Sequence, residues 1–167
     1  AKPIIFFTLL ALVDRGDEVI YPDPGFPVYE SVINFVGAKP VPLPLREEAE
    51  FRFRIDDLRD AISERTKLLI VNSPQNPTGG LLKLEDLEAI AHLANQHDFY
   101  VLSDEIYSRM IYEGEHHSIL SFPGMKERTI LLDGFSKTYA MTGWRLGYGV
   151  APKPIAAQIA RLTINSN

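Results

Sequence analysis

The chain has 167 residues, of which 46% are apolar and 23% charged, and these proportions are ordinary for one soluble globular domain. Its net charge of -5 argues against a nucleic-acid partner, because phosphate-binding surfaces carry an excess of basic residues. Since there is no cysteine, disulfides, thiol nucleophiles and cysteine-bound zinc are excluded, and a cytoplasmic location is expected.

The first element is the longest apolar run, Pro3 to Val13, which is shorter than the roughly 20 residues needed to span a bilayer. Charged residues follow it, and no small-residue cleavage site does. We therefore predict a buried helix over residues 4–13, with no membrane contact. The chain begins without methionine and stops just after a second helical pattern, residues 154–164, so we expect it to be part of a longer protein.

Helical periodicity then alternates with short apolar runs. A strand is predicted at residues 18–22, followed by a helix that runs to about Val36 and is stopped by Gly37. The three prolines of residues 39–45 favour an edge strand or a connection. Two further helices are predicted, at residues 55–64 and 84–98.

Three continuous apolar runs, residues 67–74, 99–105 and 129–134, are typical of strands buried on both faces. Strands that alternate with helices predict an α/β domain with a mostly parallel sheet. In such sheets ligands bind beyond the carboxyl ends of the strands. The segments NSPQNPTGG, SDEIY and DGFSK follow these three ends, so we expect them to face one crevice.

Five candidate site residues also have an ordinary interpretation. Lys137 and Arg145 could be a surface lysine and a surface ion pair. Asp104 could be a helix N-cap, Asn76 a turn residue, and Phe26 a hydrophobic staple at a helix start.

Taken together and in this order, NSPQNPTGG, SDEIY and FSKTYAMTGWRLGY resemble the fold-type I pyridoxal-phosphate enzymes, most closely the class I and II aminotransferases. The resemblance covers nearly the whole chain. It implies a three-layer α/β/α large domain over residues 1–167, with an N-terminal arm and a small C-terminal domain outside it. It also implies pyridoxal 5'-phosphate as cofactor, an amino acid and a 2-oxo acid as substrates, and a homodimeric parent.

The resemblance implies that Lys137 forms a Schiff base with the cofactor aldehyde and later carries a proton, and that Asp104 pairs with the pyridine nitrogen. A nucleophilic lysine must be partly deprotonated, so it needs a desolvated or cation-rich setting, and we expect Arg145 and Phe135 to favour it. Alternation along a strand would point Glu105 the other way from Asp104, so no cofactor role is assigned to it.

The family pattern also implies contacts to the cofactor ring. Tyr107 and Asn76 would hydrogen-bond its phenolic oxygen and so lower the pKa of the Schiff base. Phe26 would stack on one face of the ring, and Ile106 would pack on the other.

For the phosphate, the resemblance implies Arg145 and Ser136, since a guanidinium fork and a hydroxyl both suit phosphate oxygens. Ala1 and Lys2 would add backbone N–H groups from the end of a small-residue loop. The residues just before Arg145, Gly143 and Trp144, suggest that Arg145 approaches the phosphate closely and is partly buried.

Other sites are not supported by the spacing. Gly79, Gly80 and Lys83 lack the spacing of a phosphate-binding P-loop. The four histidines lack metal-ligand spacing, so we interpret them as ordinary residues and expect no metal.

Two alternatives to an aminotransferase stay open. One is another fold-type I enzyme, such as a β-lyase, a synthase or a decarboxylase, because its cofactor residues would be the same. The other is the cofactor-binding sensor half of a transcriptional regulator. We expect the chain alone to have little or no transaminase activity, because the resemblance places the carboxylate-binding arginine in the small domain.

Overall fold

The structure, a computed structural model, describes residues 1–166. Its strands form one six-stranded sheet in the order β2-β1-β3-β4-β5-β6. The strands are β1 (Glu18–Asp23), β2 (Lys39–Pro44), β3 (Thr66–Asn72), β4 (Tyr100–Asp104), β5 (Thr129–Gly134) and β6 (Gly147–Val150). Neighbouring strands are parallel except for β6, which runs antiparallel to β5.

Helices cover both faces of the sheet. They are α1 (Lys2–Leu12), α2 (Val28–Phe35), α3 (Ile55–Ala61), α4 (Leu84–His97) and α5 (Lys153–Ile164). Side chains of α1, α2 and α5 form one core with the sheet, and side chains of α3 and α4 form the second core on the opposite face. The predicted three-layer α/β/α architecture with a mostly parallel sheet is confirmed. No helix within residues 1–166 is long and apolar enough to cross a membrane.

The continuous apolar run of β3 shows why a central strand does not alternate between apolar and polar residues. Leu68 and Ile70 belong to the core under α1 and α2, whereas Leu69 and Val71 belong to the core under α4. All four are at most 5% exposed. Burial on both faces therefore requires an apolar residue at every position.

Local sequence features determine where several helices begin and end. Helix α2 gives way to Gly37, whose φ is +78°, and α4 ends at Asp98, which is also left-handed at φ +54°. At its start, the backbone N–H of Lys83 donates to the Asp86 carboxylate at 2.8 Å. Helix α3 ends three residues earlier than expected, because Ile62 is already extended.

Strand β6 is the main addition to the sequence prediction, which assigned its glycine-rich segment to no element. The glycines instead allow neighbouring backbones to approach closely. A Cβ at Gly134 would lie 3.0 Å from the Cα of Gly147, its partner on β6. A Cβ at Gly147 would collide with the backbone of Ala1. The proline-rich segment forms the opposite edge strand, β2, as one of the two expected possibilities.

Candidate active site

A cavity of about 320 Å³ lies beyond the carboxyl ends of β3, β4 and β5. Its wall is completed by the first turn of α1 and by the loop that precedes α2. All ten residues for which the sequence suggested a contact with the cofactor line this one cavity: Ala1, Lys2, Phe26, Asn76, Asp104, Ile106, Tyr107, Ser136, Lys137 and Arg145. The segments that follow the three strands thus meet in a single crevice.

Asp104 is the buried charge of the cavity. It is the last residue of β4 and is only 5% exposed. Its Oδ2 accepts a hydrogen bond from the Tyr29 hydroxyl at 2.8 Å, and its Oδ1 accepts one from the Ile106 N–H at 3.3 Å. Burial raises the pKa of Asp104 from its ordinary 3.8 to about 6, and these two hydrogen bonds oppose the rise by stabilising the charged form.

Tyr29 is a site residue that the sequence analysis missed. It lies on α2, its side chain is fully buried, and it lines the cavity. Burial, and next the charge of Asp104, hold the pKa of Tyr29 well above its usual value, so the hydroxyl keeps its proton and donates. The sequence signal was its position three residues after Phe26, which it contacts edge to face with 5.7 Å between ring centroids.

Asn72 is a second residue that was missed, although it opens the segment NSPQNPTGG. It ends β3 and is buried. Its Nδ2 donates to the carbonyl of Asp104 at 2.9 Å, and its Oδ1 accepts from the backbone N–H of Asn76 at 2.8 Å. This one amide therefore fixes the ends of two neighbouring strands and the start of the turn that carries Asn76.

Gln75 links the turn of Asn76 to the loop of Phe26. Its Nε2 donates to the carbonyl of Pro24 at 2.8 Å. Its Oε1 accepts from the hydroxyl of Thr78 at 2.7 Å and from the backbone N–H of Thr78 at 3.0 Å. The side chain is buried, so the cross-link holds two walls of the cavity together without lining it.

Lys137 follows β5 and lies opposite Tyr107, with its Nζ 5.6 Å from the centroid of the Tyr107 ring. The sequence predicted a desolvated or cation-rich setting; within residues 1–166 the side chain is not desolvated, but Lys2 and Arg145 line the same cavity. Lys137 is exposed, and Phe135, which was expected to shield it, is 37% exposed. The reason is topological: the chain leaves β5 after Gly134 and runs along the rim of the cavity before it returns as β6.

Arg145 also lies at the rim. Its backbone is left-handed at φ +56°, and its Nη1 donates to the carbonyl of Thr142 at 2.9 Å. The partly buried approach expected from Gly143 and Trp144 is wrong within this chain, because Trp144 is 71% exposed and no atom lies within 4 Å of a Cβ built on Gly143. Arg145 nevertheless lines the cavity, as does Lys2 in the first turn of α1.

The charges are divided between the two parts of the cavity. Three cations, Lys2, Lys137 and Arg145, line its exposed rim, and the buried Asp104 lies in its floor. Within residues 1–166, neither a lysine nor an arginine forms an ion pair with Asp104. The arrangement suits a flat ligand with an anionic group at the rim and a basic nitrogen at the floor.

The histidines differ in their surroundings. His92 and His97 are exposed on α4, but the His116 Nε2 lies 2.8 Å from the carboxylate of buried Glu105. In the described part of the chain, no group of three or more His, Asp or Glu side chains is arranged to hold a metal ion.

Residues 1–166 match the family model described as Aminotransferase class I and II. The chain is 49% identical over 162 residues to an aspartate aminotransferase of Pyrococcus abyssi, an alignment that covers 96% of this chain and 42% of that protein. It is 44% identical to aromatic-amino-acid aminotransferase 2 of Thermococcus litoralis, over 94% of this chain and 41% of that protein. The chain therefore spans less than half the length of these relatives.

Solved structures agree with the sequence matches. The aromatic aminotransferase from Pyrococcus horikoshii superposes with a TM-score of 0.96 at 43% identity, over 99% of this chain and 44% of that one. The aspartate aminotransferase from Thermus thermophilus with maleate gives a TM-score of 0.95 at 42% identity, over 99% of this chain and 43% of that one.

Proposed function

The chain belongs to the class I and II aminotransferase family, and on that premise we propose that it is the large domain of an enzyme that moves an amino group between an amino acid and a 2-oxo acid. The cofactor would be pyridoxal 5'-phosphate. Because the chain spans about 42% of the length of its relatives, the proposal concerns the whole protein. The relatives act on aspartate and on aromatic amino acids by name, and the amino acid used here is left open.

The observation that carries the proposal is that Asp104, at the end of β4, lines one cavity with Lys137 and Arg145 from the segment that follows β5. Its volume of about 320 Å³ is within the range of small-ligand sites, roughly 300–1,000 Å³. The functional groups of the cavity fit the cofactor: a guanidinium and a hydroxyl for the phosphate, an amine for the aldehyde, and a carboxylate for the ring nitrogen. When bound, pyridoxal phosphate supplies an aldehyde that accepts the amino group and a ring that withdraws electrons from the substrate.

Asp104 would accept a hydrogen bond from the protonated ring nitrogen. It lacks a lysine or arginine partner among residues 1–166, so that cation would offset the cost of its buried charge. A nearby positive charge would also lower the pKa of Asp104 below its value of about 6 in the chain alone. Tyr29 holds the carboxylate in place by donating to its Oδ2.

Lys137 would bind the aldehyde carbon and would carry the proton that leaves and rejoins the substrate α-carbon. Tyr107 and Asn76 would donate to the phenolic oxygen, Phe26 and Ile106 would hold the ring flat, and water would be excluded where they pack. Four groups at the rim would bind the phosphate: the guanidinium of Arg145, the hydroxyl of Ser136 and the backbone of Ala1 and Lys2.

The exposure of Lys137 and Arg145 supports a further part of the proposal. Both must lose water to work as expected, so the enzyme would cover this rim with parts outside the chain: a small domain and the second subunit of a homodimer. The chain alone would then have little or no transaminase activity. The absence of cysteine remains the basis for proposing a cytoplasmic location, and a role in amino acid metabolism would follow from the proposed reaction.

The test is reductive labelling. The chain is mixed with pyridoxal phosphate, reduced with borohydride and digested, and the labelled peptide is identified by mass spectrometry. We expect the label on Lys137, its loss in Lys137→Ala, and its retention in Lys126→Ala, an exposed lysine just before β5 at the other end of the sheet. A label on another lysine, or none, would contradict the site assignment.

Activity is tested separately on the whole protein. We expect amino acids to discharge the visible absorption of the bound cofactor with release of a 2-oxo acid. A whole protein that binds the cofactor and never turns over would instead favour the sensor alternative, and release of a different product would favour another fold-type I reaction.

A further inference from the structure

A second buried carboxylate lies directly beside the cavity, on the other face of the sheet. Glu105 follows Asp104 at the end of β4 and is 6% exposed. Asp104 accepts a hydrogen bond from Tyr29 of α2, on one face of the sheet. Glu105 accepts one from Ser103, which lies two residues before it and therefore on the same side of the strand as Glu105. Glu105 does not line the cavity, and the proposed reaction does not use it.

Three side chains donate to this carboxylate. Its Oε1 accepts from the hydroxyls of Ser103 at 3.0 Å and Ser118 at 2.8 Å, and its Oε2 is 2.8 Å from the Nε2 of His116. An ionised carboxylate only accepts hydrogen bonds, so the tautomer of His116 that suits this contact is the one with the proton on Nε2. Burying a carboxylate is costly unless its oxygens are satisfied, and here both oxygens are.

The donors join the two ends of one segment. The chain leaves β4 at Glu105, runs through residues 106–115, and returns at His116 and Ser118 to the same carboxylate. At the near end, the Ser108 N–H donates to the Glu105 carbonyl at 2.8 Å. At the far end, Ile119 is fully buried in the core under α4. Both ends are therefore held by the sheet.

This segment carries a wall of the cavity. Tyr107 lies within its first turn, and the carbonyl of Tyr107 accepts from the Met110 N–H at 2.8 Å. The ring of Tyr107 is the group that lies opposite the Lys137 Nζ. Any loosening of the Glu105 cluster would therefore be transmitted to Tyr107 through one turn of backbone.

We propose that Glu105 is a positioning residue, which fixes Tyr107 at the cavity from the opposite face of the sheet through its hydrogen bonds to His116 and Ser118. The consequence for the cofactor rests on the proposed function, whereas the ordering of the 106–115 segment does not. A residue that only stabilised the fold would leave both the segment and the cofactor unaffected once global stability was matched.

The test compares Glu105→Gln with Glu18→Gln. Glutamine keeps the shape but replaces one accepting oxygen with a donating amide. Glu18 is a matched control because it is 4% exposed and accepts from Ser63 and Lys39, yet it lies at the start of β1, at the other end of the sheet from the cavity.

The first readout needs no cofactor. Amide hydrogen exchange is measured at Ser108 and Met110, with urea added to equalise the global stabilities. We expect exchange about tenfold faster in Glu105→Gln, the effect of one charge-assisted hydrogen bond, and unchanged exchange in Glu18→Gln. Unchanged exchange in Glu105→Gln would overturn the proposal. If that variant does not fold, Ser118→Ala replaces it, with a smaller acceleration expected and none overturning the proposal.

The second readout is the pH midpoint at which the visible band of bound pyridoxal phosphate changes. A displaced Tyr107 would stabilise the charged phenolic oxygen less, so Glu105→Gln should raise this midpoint by about one pH unit, and Glu18→Gln should leave it in place. If amide exchange in Glu105→Gln is faster but the pH midpoint of the band does not change, the positioning role of Glu105 is overturned. This readout is made on the whole protein. If the wild-type whole protein shows no such band, the proposed function fails, and the exchange measurement on the chain still decides whether Glu105 orders the segment.

Discussion

The hydrogen bond from Tyr29 to Asp104 gives a sharp prediction, because one hydroxyl can be removed without opening a cavity. Tyr29→Phe keeps the buried ring and deletes only the donor 2.8 Å from the Asp104 Oδ2. The charged carboxylate then loses its strongest donor while its burial is unchanged. The pKa of Asp104 should therefore rise further above about 6.

The magnitude follows from the pKa of Asp104. In the wild type it is raised from 3.8 to about 6, so the folded state holds a proton that the unfolded state has released. Stability therefore falls as the pH rises through this window, by about 3 kcal/mol at about 1.36 kcal/mol per pKa unit. A hydrogen bond to a charged group contributes about 1.5–3 kcal/mol. Its loss should raise the pKa of Asp104 by about one to two units, so that stability goes on falling to a correspondingly higher pH.

The assay is urea unfolding of the cofactor-free chain between pH 4 and pH 8.5. Relative to wild type, Tyr29→Phe should lose about 1.5–3 kcal/mol more between pH 6 and pH 8. Asp104→Asn should lack the fall between pH 4 and pH 6. Tyr148→Phe is the matched control: Tyr148 also donates to an aspartate, Asp133, at 2.8 Å, but it is 44% exposed, so its pH dependence should parallel that of wild type.

A Tyr29→Phe curve parallel to wild type between pH 6 and pH 8 would refute the reasoning. It would mean that water or another donor replaces the lost hydroxyl, and that Tyr29 does not control the charge of Asp104.

Two stability predictions follow from packing. Phe99→Ala should lower the free energy of unfolding by about 3–5 kcal/mol, because Phe99 is fully buried. Phe35→Ala should change it by less than about 0.5 kcal/mol, because Phe35 is 70% exposed. Urea unfolding measures both losses, and equal losses would contradict the assignment of the core. Gly80→Ala should destabilise the chain, since a Cβ at Gly80 would lie 2.7 Å from the backbone oxygen of Phe51. Gly143→Ala should not, since a Cβ at Gly143 meets nothing within 4 Å. Equal melting temperatures for the two variants would argue against the close contact at Gly80.

Local patterns were sufficient for most of the fold. Central strands such as β3 are buried on both faces and so are continuously apolar, and that composition alone distinguished them. Strand β6 was not predicted because its composition is set by its neighbours: Gly134 and Gly147 are glycines because another backbone lies against each of them. Such a constraint comes from a distant part of the chain and has no local period.

For the candidate site, the sequence determined which residues to consider, since family motifs keep their order and a parallel sheet brings its strand ends together. The tertiary structure decided how these residues are supported and exposed. The contact of Asp104 with Tyr29 joins β4 to α2, and the contacts of Glu105 with His116 and Ser118 join the two ends of one loop. Such hydrogen-bond partners have no fixed sequence spacing by which to recognise them. The exposure of Lys137 was likewise decided by topology, because the path of the chain after β5, and not its local composition, leaves that side chain at the rim.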